Sequence, residues 1–545
     1  MSMFGDYKSY KKYAPEYKNW KEIRNLAETK RLKYLQQNTS EINPQDIQRS
    51  KTLLRAIDVM DEYSQKNAEN MEVIAESVIN MGLEFAMFVG MGIGLLATKT
   101  KPIKKLLNKY IKNNTQGSRI LTIGTMLVGG AIGTIAGLPL YAWGAKAEVK
   151  ASRKGRFEAM RTELKDPKTF AVLTPEQEEQ LNINLKNLAT IKDKKKPFGK
   201  LNENIKALKE MATDSNEYLL QRMEIEKQLE ENEKHYDKEL TKEEIETAKK
   251  DQQLLTKLVE KIDLASQDYA ENAELATGTL IASGFSLGAL VSLGYEKLAK
   301  KLKWKKSSVP AGAGFILALA ASIAAASIQK QAARVGRYKI KQELMKNPSQ
   351  LVYVSDEKTG EITDVEIKPQ EKTGIFKFLK EAWKNNKEFE KWKKTEGAKE
   401  KNLSKAMESV ELSEEQMKDA KRLQHNTFKT FNKVDENSQK YAESLEALGQ
   451  TIQYPVNLIF SIIGMFLGFK HLDKLSGAKT VKESLKPIFE YTSIILLSTV
   501  PSILINAFIT KEQKKASRVA DMLAIDEMKD YRFFADYSRF KTKES

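Results

Sequence analysis

The chain has 545 residues, no cysteine and a formal net charge of +17, from 90 Lys and Arg against 73 Asp and Glu. The lack of cysteine excludes disulfides, thiolate nucleophiles and cysteine-ligated metal centres. Most polar segments mix Lys with Glu, and no basic stripe with interleaved aromatic residues stands out, so we expect no nucleic-acid partner.

The first element in the chain is a polar helical region, predicted for residues 1–72. Tyr17, Trp20 and Ile23 recur near helical spacing. Asn43-Pro44 is a favourable helix start, with Asn as the N-cap and Pro at the first helical position. Because these residues are polar, we expect no secretory signal here and expect internal segments to direct the chain to a membrane.

Two short phrases each occur three times and divide the chain into copies one, two and three. The first reads Asp61-Glu-Tyr-Ser-Gln-Lys-Asn-Ala-Glu69, Asp263-Leu-Ala-Ser-Gln-Asp-Tyr-Ala-Glu271 and Asp435-Glu-Asn-Ser-Gln-Lys-Tyr-Ala-Glu443. The second reads Lys150-Ala-Ser-Arg153, Gln331-Ala-Ala-Arg334 and Lys515-Ala-Ser-Arg518. A pair of apolar segments lies between the two phrases in every copy. The pattern predicts three internal repeats, each an apolar hairpin between a polar leading helix and an Arg-bearing trailing helix.

Six apolar segments form the three pairs, which we assign to membrane hairpins at residues 73–145, 273–329 and 447–510. About 20 helical residues cover roughly 30 Å, the thickness of a hydrocarbon core. Five segments meet this criterion, but the first is doubtful because it contains Glu76 and Glu84. The predicted fold is an all-α integral membrane protein. The segments are approximately residues 73–97, 120–145, 275–295, 307–329, 447–469 and 487–510.

Two alternatives to spanning helices remain open at this point. The apolar segments could be buried core helices of a large soluble domain, or the first pair could be a wedge inserted in one leaflet. Glycines four residues apart favour close helix packing of the glycine-zipper type, since small residues let helix backbones approach in lipid. The plainer interpretation is that glycine is common in membrane helices. The packing candidates are Gly129, Gly133, Gly137, Gly464 and Gly468.

The hairpin tips at residues 98–119, 296–306 and 470–486 contain seven, six and five basic residues. Such tips suit anionic lipids, and the alternative is a set of merely solvated lysine-rich loops. The positive-inside rule gives a near tie for orientation. An even number of crossings puts both termini and both linkers on one side. The charged N-terminal region favours cytoplasmic termini, with a bacterial inner membrane as the expected location.

The linkers at residues 146–272 and 330–446 and the C-terminal residues 511–545 are predicted to be helical, with coiled-coil packing. Thr241 and Ser413 each resemble the start of a capping box. From Thr241 one helix is expected to continue for some 50 residues into the third apolar segment. A β-hairpin is predicted at residues 351–367, with an ordered surface loop as the alternative, and a short strand at residues 169–173.

The repeated phrases also supply candidate contact residues. Asp, Gln and Glu of each first phrase lie on one helix face, because they stand at i, i+4 and i+8. We hypothesise that the Arg of each second phrase bonds a leading helix, in its own repeat or the next, whereas the alternative is unrelated surface residues inherited by duplication. The candidates are Asp61, Gln65, Glu69, Arg153, Asp263, Gln267, Glu271, Arg334, Asp435, Gln439, Glu443 and Arg518.

A polar stripe in the first apolar segment is a candidate ion path. Glu76, Asn80 and Glu84 stand at spacing four, on one face of a helix. The alternative is that the soluble leading helix continues to Glu84 before it enters lipid.

For catalysis the sequence offers little, because three histidines lie far apart and no phosphate-binding loop follows a strand. We expect no enzyme activity, cofactor or metal. The leading functional hypothesis is a membrane-embedded scaffold that holds a protein partner, further copies of itself or the shape of the membrane. The alternative is a channel or transporter that uses the polar stripe.

Overall fold

A computed structural model describes residues 3–38, 42–64, 153–189, 241–294, 309–329, 332–354, 374–395, 402–438, 444–476 and 481–535, together with a few single positions elsewhere. The described part is 91% helical and holds no strand. The helical fold class is therefore confirmed for this part of the chain.

The helices in chain order are α1 (Met3–Gln37), α2 (residues 44–64), α3 (residues 153–161), α4 (Pro175–Ala189), α5 (Lys242–Gly294), α6 (Val309–Gln329), α7 (Ala332–Lys346), α8 (Ile375–Thr395), α9 (Leu403–Met407), α10 (Glu414–Ser438), α11 (Ser444–Ser476), α12 (Val481–Glu527) and α13 (Arg532–Ala535). The leading helices of the three copies are α2, the first part of α5, and α10. The trailing helices are α3, α7 and the last part of α12.

Each leading helix starts where the sequence predicts. Asn43 Oδ1 accepts a hydrogen bond from the backbone N–H of Gln45 at the start of α2. Thr241 forms a complete capping box with Glu244 at the start of α5, and Ser413 forms the same pair of bonds with Gln416 before α10. These caps satisfy backbone donors that the first helical turn leaves unpaired. α5 then continues for 53 residues into the third apolar segment, as predicted.

The three leading helices pack together and form the main hydrophobic core. At one end Asp251 of α5 accepts from Arg49 of α2 and from Arg422 of α10. At the other end Arg337 bonds both Asp61 of α2 and Asp263 of α5. These residues stand at nearly corresponding positions of the copies, so the helices run parallel and nearly in register. The apolar core residues between those ends are buried to 4% exposure or less. They include Leu54 and Met60 of α2, Leu255 of α5, and Leu423 and Phe431 of α10.

The apolar helices form two antiparallel hairpins, α5 with α6 and α11 with α12. A Cβ added to Gly288 would lie 2.4 Å from the carbonyl oxygen of Gly314, and one added to Gly464 would lie 2.1 Å from Ser498 Oγ. Residues larger than glycine at these two positions would force the helices apart. The backbones therefore approach each other as closely as small residues allow.

Two described helices are long and apolar enough to cross a membrane, α5 and the part of α12 from Glu490 onwards. The apolar window of the latter is only 11% buried. Large apolar side chains of the other two apolar helices are also exposed, among them Ile316 (65%) and Leu467 (66%). The hypothesis of core helices enclosed by polar ones therefore does not fit these residues.

Two strand predictions fail where the structure describes the residues. Asp166 caps a 3-10 turn that starts with Pro167, and Phe170 then enters the hydrophobic core without any strand. The predicted hairpin at residues 351–367 begins with another 3-10 turn, Pro348–Leu351, and residues 352–354 are not a strand. In both places buried helices take up the apolar side chains, so no sheet partner is needed. The rest of this predicted hairpin lies outside the described residues.

Two polar helices, α1 and α8, pack on the outside of trailing helices. Tyr17 and Trp20 of α1 stack with ring centroids 6.1 Å apart, and Phe389 and Trp392 of α8 stack at 6.0 Å, each pair with an interplanar angle of 23°. α1 contacts the trailing part of α12, and α8 contacts α7. Each helix therefore presents a stacked aromatic pair of matching geometry to a trailing helix.

Candidate functional site

A buried group of charged residues lies where the trailing helices meet the leading helices. Two arginines and four aspartates form it, and the four aspartates include one from the first phrase of every copy. Asp263, Asp435 and Asp521 are each at most 5% exposed. We call this group the junction cluster: Asp61, Asp263, Asp435, Asp521, Arg156 and Arg337.

The hydrogen bonds of the junction cluster link each trailing helix to the leading helix of the preceding copy. Arg156 of copy one donates to Asp435 of copy three over 2.9 Å. Arg337 of copy two donates to Asp61 of copy one over 2.6 Å. In copy three, Asp521 accepts from Gln267 of copy two over 2.9 Å. The trailing helix of copy one thus bonds the leading helix of copy three, that of copy two bonds copy one, and that of copy three bonds copy two. Together these contacts close a circle.

Each of the first two trailing helices also packs closely against the leading helix of its own copy. A Cβ added to Gly155 would lie 2.3 Å from the carbonyl oxygen of Tyr63 and 2.5 Å from Ser64 Cα. A Cβ added to Gly336 would lie 3.0 Å from Ser266 Cα. Ser64 and Ser266 are the same residue of the first phrase, so the two copies share this contact. Each of these two trailing helices is therefore held between the leading helix of its own copy and the leading helix of the preceding copy.

The charges of the junction cluster do not balance if every carboxyl group is ionised, because four aspartates face two arginines. Burial, and then the nearby carboxylate of Asp263, raise the pKa of Asp521 to about 8. Burial also raises the pKa of Asp61, against the opposing effect of Arg337. Asp521 therefore keeps its proton at neutral pH, which reduces the excess of negative charge.

The guanidinium of Arg156 is held in its charged form by the same carboxylates. Burial acts to lower its pKa, but Asp435, Asp263 and Asp61 outweigh burial and raise it. Because the pairs are removed from water, each group depends on its partners for the stabilisation that water would otherwise give.

A second charged group joins the far ends of the three leading helices. Asp251 of α5 is fully buried and accepts from Arg49 of α2 over 3.0 Å and from Arg422 of α10 over 3.0 Å. Asn426 of α10 donates to the same carboxylate and to the carbonyl oxygen of Phe534 in α13. The C-terminal helix is thereby attached at the point where all three copies meet.

The three arginines predicted from the second phrase are all buried. Arg518 forms ion pairs with Asp268 and Glu271 of copy two. Burial lowers the pKa of Arg334 to about 10, while the carboxylate of Glu62 in copy one has the largest opposing effect. Arg153 is 2% exposed. Arg518 thus forms its ion pairs with the helix that leads the preceding copy, copy two, and not with the leading helix of its own copy.

The other predicted residues divide into two groups. Asp61, Asp263, Gln267, Asp435 and Glu271 all take part in the contacts above, Gly464 and Gly468 lie at helix contacts, and Gly129 is buried while Gly133 is half-buried. The remaining candidates, which include the whole predicted ion path, lie outside the described residues. They are Gln65, Glu69, Glu76, Asn80, Glu84, Gly137, Gln439 and Glu443.

The sequence analysis missed the residues that contribute most to the junction cluster. Arg156, Arg337 and Asp521 each stand three positions after the Arg of a second phrase, one helical turn farther along the same face. Two of the three are arginine, which is a usable signal. The third is aspartate, so the three positions do not match as a phrase.

An open pocket borders the junction cluster between copies one and two. Arg334, Arg337 and Lys341 line it together with Asp58 and Asp61, and aromatic rings of α8 close one side. Lys341 forms an ion pair with Asp58. Among the described residues no group of His, Cys, Asp and Glu has the arrangement of a metal site. The arrangement holds helices together by paired charges.

No protein-family model, curated protein or solved structure matches this chain.

Proposed function

We propose that this chain is a non-enzymatic membrane scaffold of three hairpin repeats. The circle of contacts through the junction cluster would hold the three leading helices together as a rigid polar platform. This platform would bind a protein partner or further copies of the chain. We place the platform and both termini on the cytoplasmic side of a bacterial inner membrane, and the basic hairpin tips at anionic lipids of the other leaflet.

The membrane part of the proposal is supported by the exposed apolar faces. Leu290 of α5, Ile323 of α6, Ile463 of α11 and Phe508 of α12 are between 42% and 66% exposed. A soluble protein rarely exposes so continuous an apolar surface to water. In lipid the same surface has no such cost, since hydrocarbon chains replace the water.

The repeat part is supported by contacts that recur at corresponding positions. Gly155 and Gly336 meet the same serine of the first phrase in copies one and two. The observation that carries the proposal is the closed circle made by Arg156–Asp435, Arg337–Asp61 and Gln267–Asp521. Three repeats in a row would leave the first trailing helix without a neighbour to bond.

The scaffold is favoured over a channel by the packing between the leading helices. Charged pairs fill both ends of that helix group, with Asp251 fully buried at one end and Asp435 2% exposed at the other. Buried leucines and a phenylalanine occupy the space between them. A closely packed platform of this kind suits a holding function.

Ion flux in liposomes tests the proposal. We expect purified wild-type protein to give no flux above that of empty liposomes, and to remain in the membrane pellet after carbonate extraction. Flux that a Glu76→Gln/Glu84→Gln variant abolishes would instead establish a channel. Release by carbonate without detergent would show that the chain is not an integral membrane protein.

A further inference from the structure

The outer helices α1 and α8 each begin at the level where the apolar helices emerge. In α8, Phe378, Leu379 and Ala382 pack against Ala273 of α5 and Ile328 of α6. These two residues lie at the polar ends of the third and fourth apolar segments. Ala382 therefore marks the boundary between the apolar and the polar parts of the protein.

The direction of α8 follows from its other contacts. Phe389 and Trp392 pack on Tyr338 of α7, whose ring lies 5.7 and 5.2 Å from theirs. Tyr338 is ten residues beyond Ile328, about 15 Å farther from the apolar segments along a helix. Higher-numbered residues of α8 thus lie farther from the apolar part, and Ile375 lies about 10 Å on the apolar side of Ala382.

The outward face of α8 at this boundary is basic and aromatic. Lys377, Lys380 and Lys384 are exposed, and Trp383 beside them is 46% exposed, with Lys387 5.8 Å from its ring centroid. Glu381 lies among them, and Glu388 one turn farther along forms an ion pair with Lys384 over 3.7 Å. Lysine and tryptophan are the residues that settle at the headgroup level of a bilayer, because each combines an apolar body with a polar end.

An independent helix has the same arrangement beside the third hairpin. In α1, Asp6 accepts from Ser444 over 2.6 Å and Tyr10 donates to Glu512 over 3.0 Å. Ser444 and Glu512 flank the fifth and sixth apolar segments within three residues of their polar ends. The exposed residues at this level of α1 are Tyr7, Lys8, Lys11 and Lys12, with Lys11 5.4 Å from the ring centroid of Tyr7.

We propose that the boundary faces of α1 and α8 form a collar that binds anionic phospholipid headgroups in the leaflet on the side of the polar platform. The collar consists of Tyr7, Lys8, Lys11 and Lys12 of α1 with Lys377, Lys380, Trp383 and Lys384 of α8. Its binding site lies on the opposite side of the bilayer from the hairpin tips. This inference rests on the membrane placement proposed above.

The chemistry commits the collar to lipid. Six exposed ammonium groups beside two exposed aromatic rings, at the level where apolar helices emerge, match a layer of phosphates above hydrocarbon. Near such a surface the attraction of each lysine corresponds to a change in association of roughly fivefold. The collar would therefore hold α1 and α8, and through them the trailing helices on which they pack, at a fixed height above the bilayer.

A local quenching experiment tests the collar, because the chain has no cysteine of its own. The full chain with Glu381→Cys carries a bimane label, and Leu504→Cys labels the apolar part of α12. Each is reconstituted in phosphatidylcholine containing a minor fraction of phosphatidylglycerol. The bromine atoms are placed near the headgroup end of the acyl chains, on one lipid or the other.

We expect the label at position 381 to be quenched more by brominated phosphatidylglycerol than by brominated phosphatidylcholine. This preference should fall at least fivefold in a Lys377→Gln/Lys380→Gln/Lys384→Gln background. The matched control Lys165→Gln/Lys186→Gln/Lys418→Gln changes three exposed lysines near α3, α4 and α10 and should leave the preference intact.

The label at position 504 separates the two proposals. If it is quenched equally by both lipids while the label at 381 shows no preference for phosphatidylglycerol, the collar is wrong and the membrane placement stands. If neither label is quenched, the membrane placement fails, and the collar with it.

Discussion

Arg337 donates a hydrogen bond of 2.6 Å to Asp61, a residue 276 positions earlier in the chain. The same guanidinium reaches Asp263 over 2.9 Å. Arg337 thus joins the aspartates that open the first phrase in copies one and two. It connects two leading helices and one trailing helix through a single side chain.

Removal of this guanidinium should be strongly destabilising. We expect Arg337→Met to lower the free energy of unfolding by about 3–5 kcal/mol, because Asp263 would stay buried, and Asp61 largely buried, without their partner. Arg161→Met, at an exposed arginine of α3, is the control and should stay within about 0.5 kcal/mol. Denaturant unfolding in detergent measures both, and equal losses would argue against a structural role for the junction cluster.

A charge exchange tests which copies are neighbours. Arg518→Glu should destabilise the protein, because Asp268 and Glu271 would then face a third carboxylate. Adding Glu271→Arg restores an opposite charge across this contact, so we expect it to recover at least half of the loss in melting temperature.

The control for this exchange places the same substitution in the third copy. Glu443→Arg, combined with Arg518→Glu, should recover nothing, since it changes the first phrase of copy three and not that of copy two. Recovery with Glu443→Arg but not with Glu271→Arg would contradict the circular order of contacts.

Three glycines should respond to alanine in a graded way. A Cβ at position 155 would overlap the backbone of Tyr63, which cannot move aside, so we expect Gly155→Ala to cost about 1–3 kcal/mol. Gly336→Ala, with 3.0 Å to its nearest atoms, should cost less. Gly294→Ala meets nothing within 4 Å and should be neutral or stabilising. Thermal unfolding of the three variants checks the order, and a reversed order would be inconsistent with close packing of the trailing helices.

The stability of the protein should depend on pH through Asp521. An unfolded aspartate ionises near pH 3.9, whereas burial and Asp263 raise the folded pKa of Asp521 to about 8. Between these values the folded state binds more protons than the unfolded state, so this residue makes stability fall as pH rises from about 4 to about 8.

Asp521→Asn removes this titration and keeps an oxygen that can accept from Gln267. We therefore expect melting temperatures of the variant to decline less than those of the wild type between pH 5 and pH 8.5. Exposed Asp526→Asn is the matched control. Parallel pH profiles for the wild type and Asp521→Asn would mean that Asp521 is already ionised in the folded protein.

Features that depend on short stretches of sequence could be predicted. The caps at Asn43, Thr241 and Ser413 need only residues within three positions, and the long course of α5 follows from unbroken helical periodicity. The strand prediction for residues 169–173 was wrong. Apolar residues of this pattern require only that their side chains be buried, and here helices rather than a neighbouring strand bury them. The strand prediction for residues 351–354 failed for the same reason.

By itself, the sequence determined the three phrases, the starts of the leading helices and the apolar character of the helices that follow. Only the tertiary structure decided that Arg518 bonds copy two, and that Asp521 rather than a third arginine completes the junction cluster. A residue pattern selects the face of a helix on which a charge lies, but the partner depends on which helix packs against that face. The proton on Asp521 likewise depends on burial and on Asp263, which lies 258 positions away in the chain.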